Sequence, residues 1–325
     1  MASLIEIDRS AWDKHWKIVT LANLMQSWEY GEVKRCTERW RVHRFLLQDD
    51  NMKPQGLLQV LCFSLPFVGG IARINQGPVF FSDSQWHSPS KEGAREVMAA
   101  ILNTARQHRW WYLSIIPNFS AKDEVATTLK ELGPCKASGG FCSSAIVSID
   151  KSAEDIRSSF DSKWRSDLNK SEKMGLELEI PPTEDSLPYL IDNYRRMQQE
   201  KGFKGIPTKT LYQMVRQQGP TWNPRILFAR HNGERVCGNM FIGHGDSFTY
   251  LIGWLPEAGR SLRANYFLFW NAVMLFKDLG YKFCDVGGLG PHTAEGVARF
   301  KRRLNGEECW LVGEYSYCIF PIPFK

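Results

Sequence analysis

The stretch RILFARHNGERVCGNMFIGHGDSFTYLIGWLPEAGRSLRANYFLFWNAVMLFKDLGYKFCDVGG, residues 225–288, carries the reading on which the fold turns. Its strand-like runs at 225–229, 235–244 and 247–254 are separated by His231-Asn232-Gly233 and Gly245-Asp246, turn sequences of the kind that join antiparallel strands. Residues 264–279 follow as one long helix and 282–286 as a further strand. Upstream of this block, a charged helical stretch at 152–174 and a helix at 186–201 are separated by Pro181-Pro182. Helices, antiparallel strands, a helix and a strand therefore make up this half.

The other half reads to the same plan. Trp12, Trp16, Val19 and Leu24 recur at helical spacing over 10–24, and a short helical stretch follows at 30–35. Segments 40–47 and 56–63 flank the polar turn Gln48-Asp49-Asp50-Asn51, a hairpin signal, and 72–81 continues the sheet. A helix at 90–108 places Ala94, Val97, Met98, Ile101 and Ala105 on one face; a strand at 110–116, a helix at 121–132 and a strand at 143–149 complete the half. The order argues an α+β fold, an α/β sandwich with mixed, mostly antiparallel sheets, and not a doubly wound parallel one. The two similar orders point to a duplicated domain with its boundary near residue 150.

Composition agrees with two folded domains. The chain has 325 residues, 43% hydrophobic and 23% charged, and at about 150 residues per domain the length accommodates two. Its net charge of +6 permits an anionic partner but falls short of a dedicated nucleic-acid binder. The eight cysteines contain no CxxC, and they read as reduced, buried, inert thiols of a cytoplasmic protein. The first residues lack the basic-then-apolar pattern of a signal peptide, and apolar runs such as 57–71 are broken by Gln59, Pro66 and Gly69-Gly70, so no membrane span is expected. GxxxxGK[ST], HExxH and GxSxG are missing, and no two histidines sit at i, i+4, so the expected reaction uses neither a metal nor a serine triad.

An ordered set of short matches resembles the Fem family, aminoacyl-tRNA-dependent nonribosomal peptidyltransferases built from two tandem GNAT-type domains. The matches are the run from Gln26 to Lys34, Gln76-Gly77-Pro78-Val79, Lys163-Trp164-Arg165, the run from Asn169 to Leu176, Tyr250, Phe269-Trp270, Cys284-Asp285-Val286-Gly287-Gly288 and Phe300-Lys301. The resemblance implies a first GNAT-like domain over 1–150, a second over 151–312, and a final segment, 313–325, that returns to the first. It also implies transfer of an aminoacyl group from aminoacyl-tRNA to an amine of a cell-wall precursor peptide or a small peptide or natural-product acceptor. Such aminolysis of an ester needs no further cofactor. The alternatives are an acyl-CoA-dependent N-acyltransferase, against which the loops 84–93 and 256–264 lack the expected pyrophosphate-binding pattern, and a non-catalytic binding protein of the same fold.

The same resemblance assigns candidate residues. Lys301 stands where the family's site lysine stands, and its ammonium would stabilise a developing oxyanion, an effect typically of about 3 kcal/mol. Phe300 would pack beside the transferred group, Asp285 would orient an amine, and Tyr250 would orient the acceptor or relay a proton. Gly287 and Gly288 would let the backbone approach a ligand. Lys34 would meet acceptor phosphates and Trp28 and Tyr30 would stack on an acceptor ring, core packing being the other reading for both aromatics. Where nucleotide-binding members place an arginine before Pro207 this chain has Ile206, leaving Lys204 or Lys209 as substitutes. Arg260 and Arg263, ahead of the long helix, would form an anion site for tRNA phosphate. His292, in a glycine-rich loop, is a candidate general base or a plain turn residue.

Overall fold

Strand pairing sorts the chain into two sheets, and the computed structural model divides it accordingly into one unit of residues 1–143 with 309–325 and another of 144–308. The structure describes residues 2–65, 69–82, 84, 90–121, 123–290 and 293–319. The divisions fall inside the strands Phe141–Ser148 and Glu307–Leu311, a few residues from the expected 150 and 312. Backbone bonding explains the shift. Residues 146–148 pair with 283–285 of the second sheet, whereas Trp310 and Val312 exchange main-chain hydrogen bonds with Ala121 and Phe119 of the first unit.

In the first unit the sheet order is Ser3–Glu6, Arg41–Gln48, Pro54–Leu65, Gly69–Gly77, Trp110–Pro117, Tyr315–Cys318 and Lys136–Ala137. The late strand 315–318, part of the segment 313–325 expected to return to this unit, inserts antiparallel to 110–117; 320–325 lie outside the described residues. The helix Lys91–Gln107 starts where Ser90 Oγ accepts from the Gly93 N–H, and its apolar face covers the sheet through Ala94, Val97, Met98, Ile101 and Ala105. The first helix is shorter than its periodicity suggests. It runs Arg9–Trp16, after which Val19 reaches the same buried cluster from irregular chain and Leu24 is buried at the start of a short 3-10 turn, Leu24–Gln26.

The second unit repeats the plan, with sheet order Glu307–Leu311, Phe141–Ser148, Phe283–Asp285, Ser247–Trp254, Glu234–His244, Asn223–His231 and Glu177–Glu179. Its central helix, Ala264–Asp278, buries Leu268, Phe269, Ala272, Val273 and Phe276; the Phe276 ring stacks on Phe248 at 4.2 Å between centroids. The single helix expected over 152–174 is two, Ala153–Ser159 and Ser162–Ser171, because Phe160 turns extended and Asp161 caps the second by accepting from Lys163 and Trp164 N–H groups. The helix Thr208–Arg216, absent from the sequence reading, is amphipathic with Leu211, Met214 and Val215 buried.

Each sheet contains a parallel pair formed by the strands on either side of its long helix, and the two pairs differ in length. In the first unit, Gly69–Gly77 pairs with Trp110–Pro117 from Gly70 opposite Trp110 to Gly77 opposite Pro117. The fully buried Gln26 bonds to the Gln59 backbone and the Asn75 carbonyl, and its side chain fills the space a Cβ on Gly77 would need. In the second unit the parallel register ends after three positions, at Thr249 opposite Asp285. Beside that end, Tyr250 opposes Phe241 while Ile252 opposes Met240, so Leu251 is a bulge. The second unit thus leaves strand ends unpaired where the first closes them.

Candidate functional site

Into that second-unit opening the helix Glu295–Arg302 sends Lys301. The residue is only 7% exposed although Arg299 and Arg302 on either side of it are exposed. Its Nζ donates to the Gly288 carbonyl at 3.0 Å and lies 5.6 Å from the centroid of the Tyr250 ring. An ammonium has three donors, and this is the single hydrogen bond the Lys301 ammonium makes among the described residues. Burial lowers its pKa to about 8, with the nearby Asp285 charge opposing the fall.

Asp285 ends the strand Phe283–Asp285, and its Oδ1 takes both the Gly287 N–H at 2.8 Å and a short bond from Ser144 Oγ. Ser144 Oγ also lies 3.2 Å from the Gly287 carbonyl. Burial raises the Asp285 pKa, while Ser144, Gly287 N–H and Lys301 oppose the rise. The carboxylate therefore acts first on its own chain: it holds the turn that presents the Gly288 carbonyl to Lys301. Gly287 has φ +73°, and a Cβ there would collide with the Tyr250 carbonyl and lie 3.4 Å from Lys301 Nζ. Only glycine suits that place. Neither of these bonds is made to Asp285 Oδ2.

Tyr250 contributes its ring to Lys301 and its hydroxyl elsewhere. The O–H donates to Asn239 Oδ1 at 3.3 Å, Asn239 donates in turn to Asn265, and burial raises the phenol pKa. A phenol so placed stays protonated at neutral pH and is engaged away from the ammonium. Phe300 is half-buried, with its ring 5.1 Å from Tyr266, 5.6 Å from Phe269 and 5.9 Å from Trp164. It forms one edge of an aromatic cluster that sets the course of the lysine-bearing helix.

The structure thus brings Lys301, Asp285, Tyr250, Gly287 and Gly288 together and adds Ser144, which the sequence reading missed. A serine in a strand 141 positions from its partner Asp285 carries no spacing signal. Other expectations are corrected. Arg263 and Arg260 do not form a shared anion site: Arg263 Nε bonds to the buried Asp167 at 2.9 Å, and Arg260 pairs with Glu257 at 3.0 Å. Arg260 instead faces a groove of about 420 Å³ that it shares with Arg196, Lys201 and Trp254. Lys204 is exposed on the connection between the helices Thr183–Lys201 and Thr208–Arg216, with no contact among the described residues that joins it to Lys301. His292 lies outside the described residues.

In the first unit, Trp28 packs as core and does not present an open stacking face. The Arg44 guanidinium sits 3.5 Å from its ring centroid, Arg9 lies at 5.0 Å, and Trp12 meets it edge-on. Tyr30 is buried, with the Lys34 ammonium 5.5 Å from its ring, and Lys34 is itself paired with Glu38. The cysteines divide: Cys62, Cys142, Cys237 and Cys284 are buried as expected, but Cys36, Cys135 and Cys318 are exposed, because each sits at an element end or on an outer face.

Sequence and structure comparisons place this geometry in a class. A family model described as an acetyltransferase (GNAT) domain matches residues 158–302, a span that takes in every member of the Lys301 cluster except Ser144. No curated protein matches the chain. Among solved structures, a crystal structure of FemX superposes with a TM-score of 0.76 at 16% identity over 97% of each chain. A conserved protein of unknown function from Bacteroides thetaiotaomicron VPI-5482 gives 0.56 at 11% identity, covering 98% of this chain and 99% of that one. A tandem GNAT protein from the clavulanic acid biosynthesis pathway gives 0.52 at 12% identity over 99% of each. The fold is therefore a tandem GNAT acyltransferase fold. Within that class the fold is the one it shares with FemX over 97% of each chain.

Proposed function

We propose that the protein is an acyltransferase that joins an aminoacyl group, carried as an ester on tRNA, to the amine of a peptide or small natural-product acceptor. The observation that carries this reading is Lys301: a buried ammonium with donors to spare, set at the unpaired ends of two parallel strands in a GNAT-type unit. A cation so held costs stability in an apolar setting, and its position accounts for that cost if an anion forms beside it during turnover.

In this reading the neutral acceptor amine attacks the ester carbonyl, forming the N–C bond and placing charge on the carbonyl oxygen. Lys301 donates to that oxyanion, an interaction stronger in the transition state than with the neutral ester. The C–O bond to the ribose then breaks, and its oxygen leaves with the proton given up by the amine. Asp285 fixes the turn that aims Lys301 and offers Oδ2 to the incoming amine. The Tyr250 ring walls the site and favours the charged form of the lysine.

The alternative donor, an acyl-CoA, would react by the same aminolysis with a thiol as leaving group, so the experiment must vary the donor. Purified protein is given labelled aminoacyl-tRNAs with candidate amines and, separately, labelled acetyl-CoA, using wild type and Lys301→Ala. Transfer from tRNA that collapses in the variant is the expected result. Transfer from CoA alone would replace the tRNA reading, and ligand binding with no turnover from either donor would point to a non-catalytic protein.

A further inference from the structure

Three side chains that the proposed reaction does not use converge in the first unit. Glu6 ends the edge strand Ser3–Glu6 opposite Phe45; His43, two residues from Phe45, emerges on the same face of the neighbouring strand. His108 is the C-terminal cap of the helix Lys91–Gln107. One ligand atom from each of Glu6, His43 and His108 lies within 4.8 Å of the others. These residues are 37 and 65 or more positions apart in the chain, so a search for paired histidines at helical spacing does not find them.

The rings are held in place. His108 stacks on Trp110 at 4.8 Å with planes 22° apart and meets His43 edge-on at 4.8 Å. His43 in turn stacks on Phe45 at 6.2 Å, and its Nδ1 lies 2.7 Å from Glu6 Oε1. The His108 ring nitrogens have no hydrogen-bond partner among the described residues, and all three side chains reach solvent.

We infer that Glu6, His43 and His108 form a binding site for a divalent transition-metal ion, zinc being the ion whose chemistry suits them best. Two imidazoles and one carboxylate match the mixed nitrogen and oxygen sets that hold Zn²⁺ with water in the remaining position. Bond lengths of about 2.0–2.2 Å in a tetrahedral set place ligand atoms about 3.4 Å apart, so atoms that now lie within 4.8 Å of one another must draw in by up to about 1.4 Å. Rotation of the exposed Glu6 side chain contributes to this closure, and His43 offers Nδ1 as a ligand in the tautomer that carries its proton on Nε2. The bound ion would tie the edge strand, the next strand and the end of the long helix together, so it would stabilise the first unit by mass action.

The test uses the full chain without an affinity tag, freed of metal with a chelator and titrated with Zn²⁺ by calorimetry, with Co²⁺ as an optical probe. One ion per chain is expected, with a Co²⁺ spectrum free of a thiolate charge-transfer band and a rise in melting temperature on adding Zn²⁺. His43→Gln and His108→Gln should each weaken binding at least tenfold, and the double variant should abolish it. Failure of the wild type to bind, binding unchanged in the double variant, or a thiolate band that assigns the ion to Cys36, Cys135 or Cys318 would overturn the inference. The wild-type melt needs no variant to fold, so a variant that fails to fold leaves the inference open to refutation.

Discussion

Replacing Lys301 with methionine separates the two jobs a buried lysine can do. With a pKa of about 8, Lys301 is mostly ammonium at pH 7 and mostly neutral amine at pH 9. An oxyanion stabiliser works only as the ammonium, so its contribution should fall about tenfold per pH unit above that value. The acceptor amine ionises too, in the opposite sense, and the ratio of wild type to Lys301→Met cancels that effect at each pH. The ratio of kcat/KM should be on the order of a hundred below pH 8, from about 3 kcal/mol of lost stabilisation, and should shrink toward one by pH 10. Single-turnover transfer measured from pH 6 to 10 provides the assay. A ratio that grows as pH rises through 8 would mean that Lys301 acts as a base and would refute the oxyanion argument; a flat ratio near one would remove Lys301 from the chemistry. The same substitution has a stability signature of known sign. The folded pKa lies below the unfolded value of 10.5, so between about pH 8 and 10.5 the unfolded chain binds more protons and wild-type stability rises with pH. Lys301→Met should therefore be the more stable protein at pH 7, by at most about 3 kcal/mol less what Asp285 loses with its neighbour, and the gap in melting temperature should close above pH 10.

Gly287→Ala should reduce transfer at least tenfold while leaving far-ultraviolet circular dichroism native, because the new Cβ meets the Tyr250 carbonyl at φ +73° and displaces the Gly288 carbonyl from Lys301; unchanged kinetics would show that the turn tolerates the strain. His244 is buried with Nε2 2.7 Å from Thr249 Oγ1, and burial lowers its pKa to about 3. Its folded pKa lies below the unfolded 6.5, so its contribution to stability is full above pH 6.5 and lost toward pH 3, at about 1.4 kcal/mol per pH unit; urea melts of His244→Gln should show a shallower acid limb, and an identical limb would refute the assignment. A thiol reagent should modify Cys36, Cys135 and Cys318 in the native protein and Cys62, Cys237 and Cys284 only on unfolding, as peptide mapping by mass spectrometry would report.

The fold was legible where hydrophobic period and turn chemistry agree. The strands 234–244 and 247–254 and the helix 264–278 came out nearly as written because Gly233, Gly245 and Gly280 break an otherwise apolar run. The 152–174 stretch misled because it has no glycine or proline to mark its break; the cap at Asp161 is a matter of one side chain accepting two N–H groups. The edge strands 3–6 and 177–179 are three or four residues long, too short for a period to show, and were missed. At the site, Lys301 was found through its likeness to a family motif, since a charge beside Arg299, Arg302 and Arg303 reads as a solvated helix face. Its burial comes from the aromatic cluster of Trp164, Tyr266, Phe269 and Phe300 drawing the helix inward, a long-range fact. For the same reason Ser144, Asn239 and the Glu6, His43 and His108 group were invisible to local pattern, and the core reading of Trp28 had no visible partner because the cation that covers it, Arg44, comes from the following strand.

If acyl transfer occurs beside Lys301, a tetrahedral phosphonate analogue of the aminoacyl ester, joined to a short RNA bearing the acceptor end, should bind there. Hydrogen exchange with and without the analogue would report where it sits, and its affinity for wild type and Lys301→Met would report what the ammonium adds. Protection is expected in 247–254, 283–290 and 295–303, with binding on the order of a hundred times weaker in the variant. Protection confined to other segments, or equal affinity for both proteins, would contradict transfer beside Lys301.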